Sequence, residues 1–132
     1  ARFMGRGLDF CLDIFDYTEY SKEEIIERCR IKPEILEKTD SCQRQRLVGE
    51  ALTPCFFVEK IEAWKPCEIV HNGKFTLGVV CSGSCILEQE GQQIHLKQGD
   101  SFAIAAAAER WSILPEEETE LVIVYPGKDM EK

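Results

Sequence analysis

Eight short segments of β-forming residues, separated by turn signals, fill most of the chain after residue 54. The turn signals include Asn72-Gly73, Ser82-Gly83-Ser84 and Gln98-Gly99-Asp100. So many short strands leave many unpaired edges unless the sheet closes on itself. The pattern therefore predicts a mainly β fold, either a sandwich or a closed barrel. The predicted strands are 55–64, 67–71, 75–81, 85–90, 92–96, 101–105, 110–113 and 120–125.

The apolar residues of segment 8–17 fit both the spacing of a strand and the spacing of a helix. Leu8, Phe10 and Leu12 alternate as in a strand, whereas Leu8, Cys11 and Phe15 match helical spacing. Aspartates at three positions and several β-forming side chains lower the helix propensity of the segment. We therefore predict an edge strand here.

Ser21 followed three residues later by Glu24 is the capping-box signature of a helix start. It predicts a helix over 22–30, with a buried stripe formed by Ile25, Ile26 and Cys29.

Pro33 is a favoured first-turn residue and predicts a second short helix. Residues 39–49 are polar and are interpreted as a solvated connection. The predicted organisation is an N-terminal strand, helical segment and connection over 1–50, followed by a barrel over 51–132. Together they are expected to form one structural domain.

Charge and cysteine usage narrow the function classes. The chain has 16 Lys and Arg against 24 Asp and Glu, a formal net charge of -8, which predicts no nucleic-acid partner and no anionic membrane surface. No apolar run approaches the roughly 20 residues that cross a bilayer. Seven cysteines, an odd number partly placed within apolar segments, favour a reducing compartment. We expect a cytoplasmic protein.

The spacing of Gly83 and the turn Gly99-Asp100 resembles that of the turns in cupin barrels. A cupin metal site is formed by three imidazoles and a carboxylate. When this sequence is aligned with the cupin pattern on these turns, only one of the four ligand positions holds a metal-binding side chain. Because a catalytic divalent cation takes at least three protein ligands, the sequence predicts no metal in this chain. The four positions are His71, Gly73, Leu77 and Arg110.

Two of these residues, Arg110 and His71, are candidates for ligand binding, and no catalytic residue is predicted. A guanidinium at Arg110 could anchor a phosphate or carboxylate if it pointed into the barrel, and would be solvated if it lay at the barrel mouth. His71 directly precedes Asn72-Gly73, so the favoured interpretation is a residue that flanks a turn.

Four parts of the sequence resemble the C-terminal part of class I bacterial mannose-6-phosphate isomerases. They are residues 7–17 (GLDFCLDIFDY), 55–60 (CFFVEK), Gly83 and 96–105 (LKQGDSFAIA). The resemblance implies a cupin-like jelly-roll β-barrel with one or two short N-terminal helices.

The family interconverts mannose 6-phosphate and fructose 6-phosphate through an enediol, at a zinc site held by His, Gln and Glu of an N-terminal cupin domain. The resemblance therefore implies that this chain is a non-catalytic C-terminal domain, without a cofactor of its own, in a longer polypeptide whose N-terminal domain carries zinc. That catalytic domain is its expected partner, and a homodimer is a further expectation. The alternative is a free-standing, metal-free cupin module that binds a small sugar or anion.

Overall fold

The computed structural model describes residues 5–127, which fall into two compact units that divide between residues 30 and 31. Among these described residues, the first unit contains two helices and the second contains ten strands. In chain order these are α1 (Leu8–Leu12), α2 (Lys22–Cys29), β1 (Glu34–Lys38), β2 (Cys42–Val48), β3 (Phe56–Ala63), β4 (Cys67–Val70), β5 (Thr76–Ser82), β6 (Ser84–Gln89), β7 (Gln92–Lys97), β8 (Ser101–Ile104), β9 (Arg110–Pro115) and β10 (Thr119–Pro126).

The strand predicted over 8–17 is wrong. Leu8–Leu12 form the short helix α1, which ends where the amide of Asp13 donates to the carbonyl of Asp9 at 3.1 Å. The described part of the first unit contains no strand with which an extended segment could pair. A helical turn satisfies its backbone groups locally, which a lone strand cannot do.

Helix α2 begins as predicted. The hydroxyl of Ser21 accepts from the amide of Glu24 at 3.2 Å, and the Glu24 carboxylate accepts from the amide of Ser21 at 2.7 Å. The predicted buried stripe is wrong, because Ile25, Ile26 and Cys29 are all exposed.

The second unit consists of two antiparallel sheets. The six-stranded sheet has the order β1-β2-β3-β10-β5-β8, and the four-stranded sheet has the order β4-β9-β6-β7. Strand β10 is hydrogen-bonded to both β3 and β5, so the last strand among the described residues lies in the interior of the larger sheet. All eight strands predicted after residue 54 are present, with ends shifted by one or two residues.

The short helix predicted at Pro33 and the solvated connection predicted over 39–49 are both wrong. These residues form strands β1 and β2, which extend the six-stranded sheet beyond β3. Opposite charges face each other across the pair, with Glu34 opposite Arg46 and Glu37 opposite Arg44. Cross-strand pairs of this kind stabilise a polar strand that propensity alone would not predict.

One hydrophobic core joins the inner faces of the two sheets. Trp111 of the smaller sheet packs against Phe102 of the larger one, with ring centroids 6.1 Å apart. Phe102 lies opposite Gly78 on the neighbouring strand, and its ring occupies the space that a side chain at Gly78 would need. The largest fully buried apolar side chains include Ile61, Ile113 and Leu121.

Candidate functional site

The four positions predicted to correspond to metal ligands do not come together on the inner face. His71 follows the end of β4, and Gly73 lies in the turn after it. Leu77 is 53% exposed on the outer face of β5, and Arg110 is exposed at the start of β9. Within residues 5–127 no group of three or more His, Cys, Asp and Glu side chains is arranged to hold a metal ion.

Arg110 does not point into the barrel, so the orientation that would make it an internal anion anchor does not occur. Its Nη1 atom donates to Oε1 of Glu68 at 2.6 Å, and both side chains are more than half exposed. The pair borders an outer cleft of about 310 Å³. Because Glu88, Glu90 and Glu109 also line this cleft, its charge disfavours an anion. Ligand binding by Arg110 stays a prediction.

His71 flanks the turn as interpreted from the sequence. Its amide donates to the carbonyl of Glu109 at 2.9 Å, and Asn72 accepts from the amide of Lys74 at 2.9 Å to close the turn. The Nε2 atom of His71 is buried and has no hydrogen-bond partner among the described residues. Ligand binding by His71 also stays a prediction.

The inner face of the larger sheet carries a charged group that the sequence analysis missed, centred on Glu59. This carboxylate is 1% exposed and accepts a hydrogen bond at each oxygen. Arg44 Nη2 donates to Oε2 at 2.8 Å, and the Tyr125 hydroxyl donates to Oε1 at 2.5 Å. Arg46 Nη2 lies 3.6 Å from Oε1. A buried carboxylate is costly unless cations and hydrogen-bond donors surround it, and these three side chains supply both.

Strand register brings these residues together. Arg46 lies directly opposite Glu59 across the β2–β3 pair, and Arg44 is two residues away on the same face of β2. On the other side of β3, Ile123 is the partner of Glu59 and Tyr125 is two residues further along β10.

Two exposed carboxylates complete this group towards solvent. Glu37 Oε2 lies 3.6 Å from Arg44 Nη1, and Glu34 Oε2 lies 3.8 Å from Arg46 Nη1. The six side chains form what we call the inner charge cluster. Its members are Glu34, Glu37, Arg44, Arg46, Glu59 and Tyr125.

Aromatic packing fixes the buried side of the cluster. The rings of Phe57 and Tyr125 stack with centroids 5.5 Å apart, and the guanidinium of Arg46 lies 5.3 Å from the centroid of Phe57. Burial raises the pKa of Tyr125 to about 12, and the hydrogen bond to Glu59 and its negative charge act in the same direction. At neutral pH the phenol is therefore protonated and available as the donor to Glu59.

A signal for this cluster was present in the sequence. The alternation that places Phe57 and Ile61 on the inner face of a strand also places Glu59 there. A buried carboxylate needs a cationic partner, and two arginines lie one hairpin earlier. The prediction of a solvated connection over 39–49 places both arginines outside the sheet.

Comparison with known proteins shows to which family this chain belongs. The model of the family described as mannose-6-phosphate isomerase, cupin domain, matches residues 51–126, which is more than half of the chain. The chain belongs to this family. The match covers strands β3 to β10, and so includes Glu59 and Tyr125 but not the two arginines.

Solved structures at low sequence identity share the fold of this cupin domain. Mannose 6-phosphate isomerase from Bacillus subtilis is 24% identical with a TM-score of 0.58, and the match covers 71% of this chain and 28% of that chain. An RmlC-like cupin from Shewanella frigidimarina is 18% identical with a TM-score of 0.59, covering 88% and 95% of the two chains. KdgF from Halomonas sp. is 16% identical with a TM-score of 0.58, covering 72% and 88%. The predicted mainly β, cupin-like fold is confirmed.

The search of curated proteins gave no match. Neither helix in the described part of the chain has the length and apolar character needed to cross a membrane.

Proposed function

We propose that this cupin domain is the C-terminal, non-catalytic domain of a mannose-6-phosphate isomerase-like protein. In this proposal the aldose–ketose interconversion of mannose 6-phosphate and fructose 6-phosphate is carried out by an N-terminal, zinc-binding domain of the same polypeptide. The family match over residues 51–126 carries the proposal, and the state of Glu59 supports its non-catalytic part. Both oxygens of this buried carboxylate accept hydrogen bonds from side chains of the domain itself, Arg44 and Tyr125.

A carboxylate in this state is a poor ligand for zinc. Coordination would require one oxygen to give up a charge-assisted hydrogen bond in a buried site, where such bonds are strong. It would also place a dication beside two guanidinium groups, Arg44 and Arg46. The interior chemistry therefore supports a structural role for this barrel.

The outer face of the six-stranded sheet supports a role in packing. Val58, Val124 and Leu77 lie in register on three adjacent strands, and Ala103 extends the row on β8. Leu77 and Val124 are exposed. Contiguous exposed apolar surface is typical of a face that contacts another protein surface.

The proposal is tested by assaying the purified 132-residue chain for conversion of mannose 6-phosphate with zinc added, beside the full native gene product. We expect zinc-dependent turnover by the native product, with a mass well above 15.1 kDa, and none by the chain alone. Turnover by the chain alone would overturn the proposal. So would a native product of 15.1 kDa without isomerase activity.

A second candidate function is a free-standing, metal-free cupin module that binds a small sugar or anion. It is favoured by the two arginine side chains of the cluster, which are 20% exposed at Arg44 and 32% exposed at Arg46 and so are reachable from solvent. A native product of about the mass of this chain would select this candidate. Homodimer formation and cytoplasmic location stay predictions from the sequence, and sedimentation velocity measures the first.

A further inference from the structure

The two arginines of the inner charge cluster differ in how tightly carboxylates hold them. Arg46 lies 3.6 Å from Glu59, so it makes no short contact with a carboxylate. Arg44 Nη2 donates to the buried Glu59 at 2.8 Å. The outward Nη1 atoms are 3.6 Å from Glu37 and 3.8 Å from Glu34, beyond the usual length of an N–H···O hydrogen bond. The hydrogen bond to Glu59 holds the guanidinium of Arg44, and the ring of Phe57 packs against that of Arg46. The outward contacts leave donor capacity unused on both.

The outward partners are also held loosely. The side chains of Glu37 and Glu34 are 49% and 68% exposed, and ion pairs at such positions contribute little because solvent competes for both groups. The Nε atoms of Arg44 and Arg46 are buried without a hydrogen-bond partner among the described residues. The two arginines therefore have more donors than the protein acceptors around them use.

We propose that Arg44 and Arg46 bind a small molecule through its carboxylate or phosphate group. The anionic group takes the place of Glu34 and Glu37 beside the Nη1 atoms of Arg44 and Arg46. Guanidinium groups suit such a ligand because their planar donor arrays match carboxylate and phosphate oxygens.

Glu34 and Glu37 would compete with the anion for the two arginines, as a count of formal charges shows. Arg44, Arg46 and Glu59 together carry a formal charge of +1, which attracts an anion. Counting Glu34 and Glu37 as well, the sum is -1. An anion therefore gains access as these two side chains swing into solvent, which their exposure permits.

This inference does not depend on the proposed function, because the cluster belongs to the barrel whether or not a catalytic domain precedes it. It gives the second candidate function a specific site and places that site away from Arg110.

The test is an NMR titration of the 15N-labelled chain with inorganic phosphate and with succinate, following the arginine Nε–Hε signals. We expect saturable shifts of the Arg44 and Arg46 signals at millimolar ligand with either probe. Glu34→Gln and Glu37→Gln should each tighten binding about two- to fivefold, the strength typical of an exposed ion pair. Arg46→Met should weaken binding by at least about tenfold, as expected for loss of a charge-assisted contact.

Arg110→Gln is the matched control, since it removes an arginine paired with an exposed glutamate on the outer face and should leave the affinity unchanged. Sodium chloride at equal ionic strength controls for screening. The proposal is overturned if neither probe shifts the two signals beyond the chloride control, or if Glu34→Gln and Glu37→Gln weaken binding. The glutamate variants alter exposed side chains, so they keep the test decisive even if Arg46→Met does not fold.

Discussion

The hydroxyl of Tyr125 donates a 2.5 Å hydrogen bond to Oε1 of Glu59, 66 positions earlier in the sequence. The bond crosses the β3–β10 pair on the inner face, where register sets Tyr125 diagonally from Glu59. It supplies the buried carboxylate with a neutral donor at the oxygen that Arg46 approaches only to 3.6 Å.

Replacing Tyr125 with Phe should destabilise the barrel by about 1–3 kcal/mol, because the ring shape is kept while one oxygen of a buried carboxylate loses its donor. Urea denaturation measures the change in the free energy of unfolding. Tyr20→Phe is the control, since the Tyr20 hydroxyl makes a 3.4 Å surface contact with Asp16 and should change stability by less than about 0.5 kcal/mol. Equal midpoints for the native chain and Tyr125→Phe would contradict the prediction.

The same phenol should make stability fall at high pH. The pKa of Tyr125 is raised to about 12 in the folded chain, chiefly by burial and then by Glu59, from an ordinary value of 10.0. Because the unfolded chain releases this proton first, the contribution of the phenol is full below pH 10 and is lost as pH rises towards 12.

This dependence is measured as the difference in unfolding free energy between the native chain and Tyr125→Phe. Other groups that titrate in this range are common to both proteins, so their effects largely cancel in the difference. We expect a constant advantage for the native chain below pH 10 that shrinks between the two pKa values. If the stability difference stayed unchanged as pH rose past 12, the pKa of Tyr125 would not be raised by burial as the structure implies.

A methyl group at Gly78 should strain the core, because the ring of Phe102 occupies its place. We expect Gly78→Ala to cost about 1–3 kcal/mol, the usual range for overpacking. Adding Phe102→Leu should relieve part of this cost, so the double variant loses less stability than the sum of the two single variants. A strictly additive result in chemical denaturation would refute the contact.

The cysteines should divide by reactivity in the folded chain. Burial raises the pKa of Cys67 to about 12, with Cys42 also contributing, and burial raises that of Cys85 to about 11. The thiolate is the nucleophile, so these two thiols should resist iodoacetamide, whereas the exposed Cys29 and Cys55 should react first.

Peptide mass mapping of a short labelling time course measures this order. Labelling in urea is the control, since all seven thiols should then react at similar rates. Modification of Cys85 in the folded chain as fast as Cys55 would contradict the burial of the barrel interior.

The strands after residue 54 could be predicted because their apolar residues alternate and glycines mark their turns. Strand β2 could not, because its inward positions include Arg44 and Arg46, and alternation of arginine with glutamine has no hydrophobic signal. Strand β1 depends on β2 for its pairing, so both were missed together. Hydrophobic periodicity cannot identify a strand whose buried face is charged.

The residues of the candidate site could likewise be predicted only in part. His71 and Arg110 were named by their spacing from turns, but spacing does not determine which face of a strand a residue occupies, and Arg110 lies on the outer one. Glu59 could have been placed inside by alternation. Its partners could not have been identified without the register that brings β2 and β10 to either side of β3.

The interior position of β10 has a consequence for synthesis on the ribosome. Until Thr119–Pro126 have been made, β3 and β5 each present an unpaired edge towards the gap that β10 will fill. The nascent chain therefore passes through a stage with exposed strand edges, the state in which β proteins are most vulnerable to wrong association. Pairing of β10 with β3 and β5 removes these exposed edges, and it can occur only after nearly all of the barrel has been translated.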